Sequence, residues 1–256
     1  MHGWVVIPAW NEEESIEQVI RGVPRHPLPG CTLSVLVVDD GSSDETVERA
    51  KRAGADAILS LPCNRGLGAA VREGLRWAYQ AGGDLAVMID ADNEYPAAEI
   101  PCLLLPILSG EADYVLGSRF QGGVRGMKLY RRLGNAFFSL LQSILLKRWI
   151  SDGQTGMRAF SRAALGGVRI CHDYNYAQVM TINLVQQGFR LLEVPISYRV
   201  RTSGESFIRP HYVMKVLPAI WREWRRGADR TQVVGTPPVT AYSDSIKPSV
   251  SVNDGQ

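Results

Sequence analysis

Residues 33–42, with the sequence LSVLVVDDGS, decide the fold class of this chain. A nearly continuous apolar run that ends in two aspartates and a glycine indicates a strand buried on both faces and followed by a turn. Strands of this kind occur in parallel sheets that are covered by helices on both faces. The helical pattern over residues 43–54 supplies the first covering helix, and we expect Ser42 or Ser43 to be its N-cap.

The same alternation of apolar strands and helical segments runs through the first half of the chain. Four more strands are expected, at residues 3–8, 57–61, 85–90 and 113–118. The helical patterns between them lie at residues 11–23, 66–81 and 97–109. This order predicts an α/β fold with a mostly parallel, Rossmann-like sheet and helices on both of its faces.

The second half of the chain is less regular and ends in a polar tail. Helical patterns are expected at residues 127–149, 174–187 and 211–226, and strand patterns at residues 157–161 and 189–200. The first and last of these helices are amphipathic and basic. We expect one folded domain over residues 1–230. Because residues 231–256 are rich in Ser, Thr and Pro, we expect them to form a disordered tail.

Composition limits the class of function. The 256 residues carry 28 Lys and Arg against 26 Asp and Glu, so no charge excess points to nucleic acid as a partner. The four cysteines have no zinc-ligand spacing and are expected to be buried, reduced thiols. With no export signal and no apolar run long enough to span a bilayer, the expected location is the cytoplasm.

Polar residues follow every one of the five predicted strands. They are PAWNE at residues 8–12, DDGS at 39–42, CNRGLG at 63–68, DADNE at 90–94 and GSRF at 117–120. In an open parallel sheet, ligands bind beyond the carboxyl ends of the strands. Because all five clusters fall on that edge, we expect them to form one ligand site.

Two carboxylates one residue apart, Asp90 and Asp92, end an otherwise apolar strand. Mg²⁺ and Mn²⁺ take one or two carboxylates together with substrate phosphates and water. The pattern therefore predicts a metal site, with Glu94 as a further oxygen ligand. Asp39, which also follows a buried strand, is suited to accept hydrogen bonds from a nucleobase or ribose, although a simple turn is the alternative.

Neither common glycine-rich phosphate loop is present. Residues 64–68 do not match the dinucleotide-binding or the P-loop pattern, and we expect Gly66 and Gly68 to allow close packing near a nucleotide.

Residues 117–148 hold seven basic residues and no acidic one, which predicts either a solvated helix face or a phosphate cradle. The helix within this segment is expected to belong to the core or to lie at a membrane surface.

Seven motifs, in order along residues 5–206, carry a family resemblance. They are IPAWNEE, VVDDGSSDET, NRGLGAAVREGL, IDADNEYP, GSRFQGG, DGQTGMRAFSR and EVPISYRVRTSGES. Together they resemble the family 2 glycosyltransferases of the GT-A fold, and among these the dolichol-phosphate and polyprenyl-phosphate mannose synthases. Two departures from the pattern bear on the acceptor: Phe207 stands where the family has Lys, and Gln178 lies near a position that is often acidic.

The resemblance implies roles for individual residues. Contacts to a nucleotide sugar fall on Pro8, Trp10, Glu12, Val37, Asp39, Asp90, Ala91, Asp92, Arg119 and Arg201. Trp10 replaces the family's usual Tyr. Metal ligands fall on Asp90, Asp92 and Glu94, and Asp92 and Arg119 serve catalysis. If the acceptor is a hydroxyl, a carboxylate must act as general base, and Asp152 is the candidate.

The function expected is transfer of a sugar from a GDP- or UDP-sugar, with Mg²⁺ or Mn²⁺, to a polyprenyl phosphate. The reaction is expected to invert the anomeric centre and to take place at the inner face of a membrane, with peripheral membrane contact and no nucleic acid. Three alternatives stay open. They are the same chemistry on a soluble or polysaccharide hydroxyl, a nucleotidyltransferase, and an inactive module that binds sugar nucleotides.

Overall fold

The computed structural model describes residues 1–124, 126–173, 176–199, 211–228 and 249–252. The strands are β1 His2–Ala9, β2 Thr32–Asp39, β3 Ala57–Ser60, β4 Leu85–Met88, β5 Tyr114–Ser118, β6 Arg158–Ser161, β7 Leu191–Pro195 and β8 Ser249–Val252. The helices are α1 Ile16–Gly22, α2 Thr46–Arg52, α3 Leu67–Gln80, α4 Ile100–Leu108, α5 Arg119–Gly122, α6 Leu129–Leu146, α7 Arg162–Gly167, α8 Tyr176–Gln186 and α9 His211–Ala228. A 3₁₀ turn, Ala97–Glu99, precedes α4.

The strands form one sheet in the order β7-β5-β6-β4-β1-β2-β3-β8. Neighbours β4, β1, β2 and β3 are parallel, and so are β5 and β7. β6 is antiparallel to both β4 and β5, between which it lies. The predicted α/β fold with a mostly parallel sheet is therefore confirmed, and β6 brings the second half of the chain into the centre of the sheet.

Alternate residues of each central strand enter two separate cores. Val35 and Val37 of β2 pack with residues of α1 and α4 on one face of the sheet. Leu36 and Val38 pack with α3 and α8 on the other face. Side chains alternate across a strand, so a strand that is apolar at every position is stable only where both faces are covered.

The start of α2 differs from the prediction. The helix begins at Thr46, and its first amide is bonded by the side chain of Asp44, whose Oδ1 lies 3.0 Å from Thr46 N. Ser42 and Ser43 are therefore not its N-cap. They bind Asn11 instead: Ser42 Oγ accepts from Asn11 N at 3.0 Å, and Ser43 N donates to Asn11 Oδ1 at 2.8 Å.

Two short helices, α5 and α7, were not expected. Each begins at a serine that ends a strand: Ser118 accepts from Gln121 N, and Ser161 accepts from Ala164 N. Both helices have six residues or fewer and contain glycine, so helical periodicity cannot reveal them. The glycine-rich segment after Arg119 thus contains a helical turn where no helix was predicted.

The polar tail contributes one strand to the sheet. Residues 249–252 pair antiparallel with β3, from Ala57 opposite Val252 to Ser60 opposite Ser249. Alternating Ser and Val suit an edge strand, and these four residues differ from the expected disorder. The other residues of 231–256 lie outside the described ranges.

Two further expectations concern the surface. Cys31 is buried, whereas Cys63, Cys102 and Cys171 are exposed, so the prediction of four buried thiols is wrong for three of them. In the described part of the chain, no helix is both long enough and apolar enough to cross a membrane.

Leu36→Ala should lower the free energy of unfolding by about 2–5 kcal/mol, because Leu36 is fully buried and the cavity left behind cannot collapse completely. Urea denaturation monitored by circular dichroism measures this change. Leu105→Ala on α4 is the control, because Leu105 is 54% exposed. Equal losses in the two variants would contradict the buried position of β2.

Candidate active site

The polar ends of β1, β2 and β4 meet at one edge of the sheet, as predicted. Ala9 pairs with Asp39, and Asp40 N donates to Ala9 O at 2.9 Å. On the other side of β1, Ile89 N donates to Val6 O at 3.1 Å, which places the residues after β4 beside those after β1.

The predicted nucleotide residues after β1 and β2 divide into two groups. Pro8 and Val37 lie inside their strands and are buried, and their predicted contact with a nucleotide stays a prediction. Trp10 is 39% exposed at the sheet edge, where an indole can form a wall for a planar base. Asp39 is almost buried, and its Oδ1 accepts from Ser42 N at 2.9 Å. Glu12 N donates to Thr46 Oγ1 at 2.9 Å, which joins this loop to α2.

Asp40 is a site residue that sequence reasoning missed. Its carboxylate is 2% exposed and accepts from Arg65 N at 2.9 Å and from Gly66 N at 2.8 Å. Burial raises the pKa of this carboxyl, and the two amide hydrogen bonds oppose that shift. Asp40 therefore fixes the loop that presents Arg65 at the sheet edge. Its position directly after Asp39 was the available signal.

The glycines of the same loop allow close packing, as predicted, and their neighbour is the backbone of residues 172 and 173. Gly68 N donates to Asp173 O at 2.7 Å. A Cβ atom on Gly68 would lie 2.5 Å from His172 O, and one on Gly66 would lie 2.9 Å from Asp173 O. Gly66 also has a φ of +96°, which favours glycine. The loop before α3 thus depends on the backbone of the segment before α8.

Asp90 and Asp92 form the centre of the site. Oδ1 of Asp90 is buried and has no hydrogen-bond partner in the described part of the chain. Burial and the nearby negative charges of Asp92 and Glu94 raise the pKa of Asp90 to about 7. A buried carboxylate oxygen without a donor, next to a second carboxylate, fits a divalent cation, because a cation supplies the missing positive partner. Ala91, between them, is buried.

Glu94 has other partners. Its carboxylate is 3.5 Å from Arg131 Nη1, and its backbone oxygen accepts from Arg199 N at 2.9 Å. The described residues contain no group of three or more His, Cys, Asp or Glu side chains arranged to hold a metal ion. The predicted set of three carboxylate ligands is therefore not confirmed, and Asp90 and Asp92 remain as a pair.

Arg119 and Asp152 form a buried ion pair. Arg119 Nε and Nη2 lie 2.7 and 2.8 Å from Asp152 Oδ2 and Oδ1, and Arg119 N donates to Oδ2 at 3.0 Å. The guanidinium also lies 5.9 Å from the ring centre of Tyr95 and 5.7 Å from that of Tyr198. Because both oxygens of Asp152 accept from a cation, this carboxylate is poorly placed to remove a proton, and its role as general base stays a prediction.

The loop after Asp152 packs against the residues that follow β4. Gly156 N donates to the hydroxyl of Tyr95 at 2.9 Å. A Cβ atom at Gly156 would lie 1.8 Å from Asp90 Oδ2, so only glycine fits there. Tyr95 was not predicted as a site residue. The only signal for it in the sequence is its position directly after the carboxylates of residues 90–94.

The basic segment over residues 117–148 is divided between the interior and the surface. Arg119 is buried, Arg131 faces Glu94, and Arg148 bonds the backbone oxygen of Leu191. The exposed members are Lys128, Arg132, Lys147 and Arg148. Two residues named in the sequence analysis, Arg201 and Phe207, lie outside the described ranges, as does Arg125. Gln178 is described, and it is fully buried in α8.

Residues 4–168 match the family model described as Glycosyl transferase family 2. The chain belongs to this family. It is therefore a glycosyltransferase, and the nucleotidyltransferase alternative is set aside. The predicted resemblance and the GT-A fold are both confirmed.

Three known proteins illustrate the likeness. The dolichol-phosphate mannosyltransferase of Pyrococcus furiosus is 30% identical over 235 residues, which cover 88% of this chain and 65% of that protein. The undecaprenyl-phosphate mannosyltransferase of Micrococcus luteus is 33% identical, over 78% of this chain and 85% of that protein. A crystal structure of glucosyl-3-phosphoglycerate synthase from Mycobacterium tuberculosis with Mn²⁺, UDP-glucose and phosphoglyceric acid has a TM-score of 0.62 and 25% identity, over 92% of this chain and 81% of that chain.

Arg119→Met should lower the free energy of unfolding by about 3–5 kcal/mol, because it leaves the charge of Asp152 buried and unpaired. The double variant Arg119→Met/Asp152→Asn should be more stable than Arg119→Met alone, because it removes that charge. Thermal and urea unfolding measure both effects.

The control is the pair Arg190 and Asp113, which has the same two-pronged geometry at 2.9 and 3.0 Å but an Arg190 side chain that is 56% exposed. Arg190→Met should cost much less than Arg119→Met, because its ion pair is exposed to solvent. If Arg119→Met costs no more than this control, the buried pair does not have the role described here.

Proposed function

We propose that this glycosyltransferase moves a sugar from a nucleoside diphosphate sugar to a polyprenyl phosphate at a membrane surface, in a reaction that depends on Mg²⁺ or Mn²⁺. The observation that carries the proposal is an exposed apolar stripe on α6, a helix that also contacts the site. The lipid-phosphate acceptors named for the two relatives support the acceptor class. The Mn²⁺ and UDP-glucose in the structure of glucosyl-3-phosphoglycerate synthase support the donor and the metal.

The donor would lie across the carboxyl ends of β1, β2 and β4. Trp10 and Asp39 would receive the nucleoside, Trp10 as a wall and Asp39 as a hydrogen-bond acceptor. Asp90 and Asp92 would hold the divalent cation, which offsets the charge that grows on the leaving diphosphate. Glu94, close to Arg131, stays a proposed further ligand, and Arg201 a proposed phosphate contact.

The ion pair of Arg119 and Asp152 favours a phosphate acceptor over a hydroxyl. A phosphate oxygen is already ionised at neutral pH and attacks without losing a proton, whereas a hydroxyl requires a base. The carboxylate predicted for that base is occupied by Arg119. The pair instead fixes a guanidinium beside Tyr95, where its charge favours anionic groups of donor or acceptor.

The stripe on α6 is suited to a lipid surface. Leu133, Phe137, Leu140 and Ile144 follow one another at intervals of three or four residues and are 51 to 66% exposed. Such spacing places them on one side of the helix. The opposite side is anchored, because Phe138 packs with α8 and α9. Exposed basic residues at both ends of α6 suit anionic headgroups, and Trp149, 74% exposed, suits the interface.

The helix also reaches the site. Ser139 Oγ accepts from Gly153 N at 3.0 Å, in the loop that follows Asp152. Arg131, in the first turns of α6, lies against Glu94. A lipid phosphate whose chain lies along the stripe would therefore be close to the diphosphate end of the donor.

The direct test uses a panel of GDP- and UDP-sugars with Mn²⁺ and a short polyprenyl phosphate, with release of nucleoside diphosphate and formation of glycolipid as the measurements. The matching unphosphorylated polyprenol and phosphoglycerate are the control acceptors. We expect glycolipid only with the phosphorylated lipid. Turnover with phosphoglycerate and none with the lipid would overturn the proposed acceptor.

Asp92→Asn should abolish transfer and remove the increase in nucleotide affinity that Mn²⁺ produces, because an amide is a poor ligand for a hard cation. Calorimetric titration of UDP and GDP with and without Mn²⁺ measures the affinity. Asp84→Asn is the control, because Asp84 precedes β4 at the other end of that strand. Normal transfer by Asp92→Asn would remove the metal assignment.

The protein should sediment with anionic vesicles at low salt, and binding should fall as salt rises, because each basic contact contributes about 1 kcal/mol and is screened. Leu133→Asp/Ile144→Asp should lose binding at every salt concentration. Leu105→Asp, at an exposed leucine of α4, should bind like the parent protein. Equal binding by all three would show that α6 is not the contact surface.

A further inference from the structure

One arginine near the site is completely enclosed. Arg158, the first residue of β6, has no exposed surface. Its guanidinium donates to five oxygens. They are the backbone oxygens of Thr155 at 2.9 Å, Gly153 at 3.0 Å and Ala177 at 3.1 Å, the hydroxyl of Thr181 at 3.0 Å and the hydroxyl of Tyr114.

All five of these acceptors are neutral groups. A buried arginine ordinarily pairs with a carboxylate, because an uncompensated charge in the interior is costly. Arg119, one strand away, has such a partner in Asp152. Arg158 pairs with Met88 of β4, two residues before Asp90. The position of Arg158 is therefore costly for the fold alone, and it lies beside the strand that ends in the carboxylate pair.

The five acceptors belong to three separate parts of the chain. Gly153 and Thr155 lie in the loop before β6, Ala177 and Thr181 lie on α8, and Tyr114 lies on β5. The planar guanidinium thus joins a loop, a helix and a strand at one point. A guanidinium offers five donors in a fixed plane, which a lysine ammonium cannot reproduce.

The loop that Arg158 holds is the one that contacts both charged elements of the site. At its start, Asp152 orients Arg119 through three hydrogen bonds. At its end, Gly156 lies directly against Asp90. A displacement of this loop would therefore move the arginine and the metal-binding carboxylate together.

We propose that Arg158 is a positioning residue for glycosyl transfer, which fixes residues 153–156 so that Arg119 and Asp90 keep their relative placement. It acts through the loop and touches no substrate, because it is enclosed on all sides. The inference rests on the proposed role of Asp90 and Arg119 at the donor diphosphate. It does not depend on which acceptor the enzyme uses.

The test compares Arg158→Lys, which keeps the charge, with Arg158→Met, which keeps only the length of the side chain. The control is Arg162→Met, since Arg162 bonds the backbone oxygen of Gly83 and stacks on Tyr79 away from the site. All rates are taken at a temperature where circular dichroism shows each variant to be fully folded. Slow hydrolysis of the nucleotide sugar without acceptor is measured as well as transfer.

We expect kcat to fall about 100-fold in both Arg158 variants, a loss typical of misplaced catalytic groups, while KM for the donor changes less than about threefold. Arg162→Met should keep the parent kcat. Addition of guanidinium ion to Arg158→Ala should restore part of the rate, and methylammonium should not. A merely structural role predicts losses that follow thermal stability and vanish in the folded protein.

Milder variants keep the test decisive if Arg158 variants fail to fold. Thr181→Val and Tyr114→Phe each remove one hydrogen-bond partner of Arg158 and leave its charge in place. Each should lower kcat by about five- to tenfold, with KM for the donor unchanged.

A kcat within threefold of the parent in folded Arg158→Lys and Arg158→Met, or in both milder variants, would overturn the proposal. If the parent protein hydrolyses donor but never glycosylates polyprenyl phosphate, the acceptor proposal fails while this one is still tested.

Discussion

The burial of the Asp90 carboxylate is the constraint on which the rest of the site depends. A carboxylate at the end of an apolar strand loses its hydration, and it must be balanced by nearby positive charge, by a bound cation or by a proton. The surrounding structure meets this requirement on each side. Arg119, which follows β5, and Arg158, which begins β6, both act on it, Gly156 leaves room for the carboxylate, and Asp92 completes a pair that suits a cation.

The antiparallel strand β6 makes this arrangement possible. It lies between β4 and β5, so the loop before it arrives beside the residues that follow β4. A parallel strand in the same place would bring the loop to the opposite edge of the sheet. One reversed strand therefore joins the part of the protein that ends in Asp90 and Asp92 to the part that carries α6 and its exposed stripe.

Much of the fold and part of the candidate site could be predicted, because the sequence patterns that indicate them are local. The apolar strands and their polar ends fixed the α/β class and the edge of the sheet where the site lies, since strand period and burial act over a few residues. The pair Asp90 and Asp92 was found for the same reason. The contacts of Asp152 and Asp40 were not, because each depends on a partner that only the folded chain brings near: Arg119 for one and the amides of residues 65 and 66 for the other.

The helix caps show the same limit. Ser42 and Ser43 have the sequence character of an N-cap, yet they bind Asn11, which lies more than thirty positions earlier. Here a contact between two loops overrides the local preference. The glycines before α3 were expected to allow close packing, but the sequence could not show that the backbone of residues 172 and 173 is what packs against them.

That last contact bears on how far the protein can be divided. The family match ends at residue 168, so a fragment cut there would keep Trp10 and Asp39, the two residues proposed to receive the nucleoside. It would nevertheless lose residues 172 and 173, on which Gly66 and Gly68 rest, and with them the support of the Arg65 loop. The part of the chain that defines the family is thus not a self-sufficient unit. The family match therefore ends before residues 172 and 173, which the matched part needs for its packing.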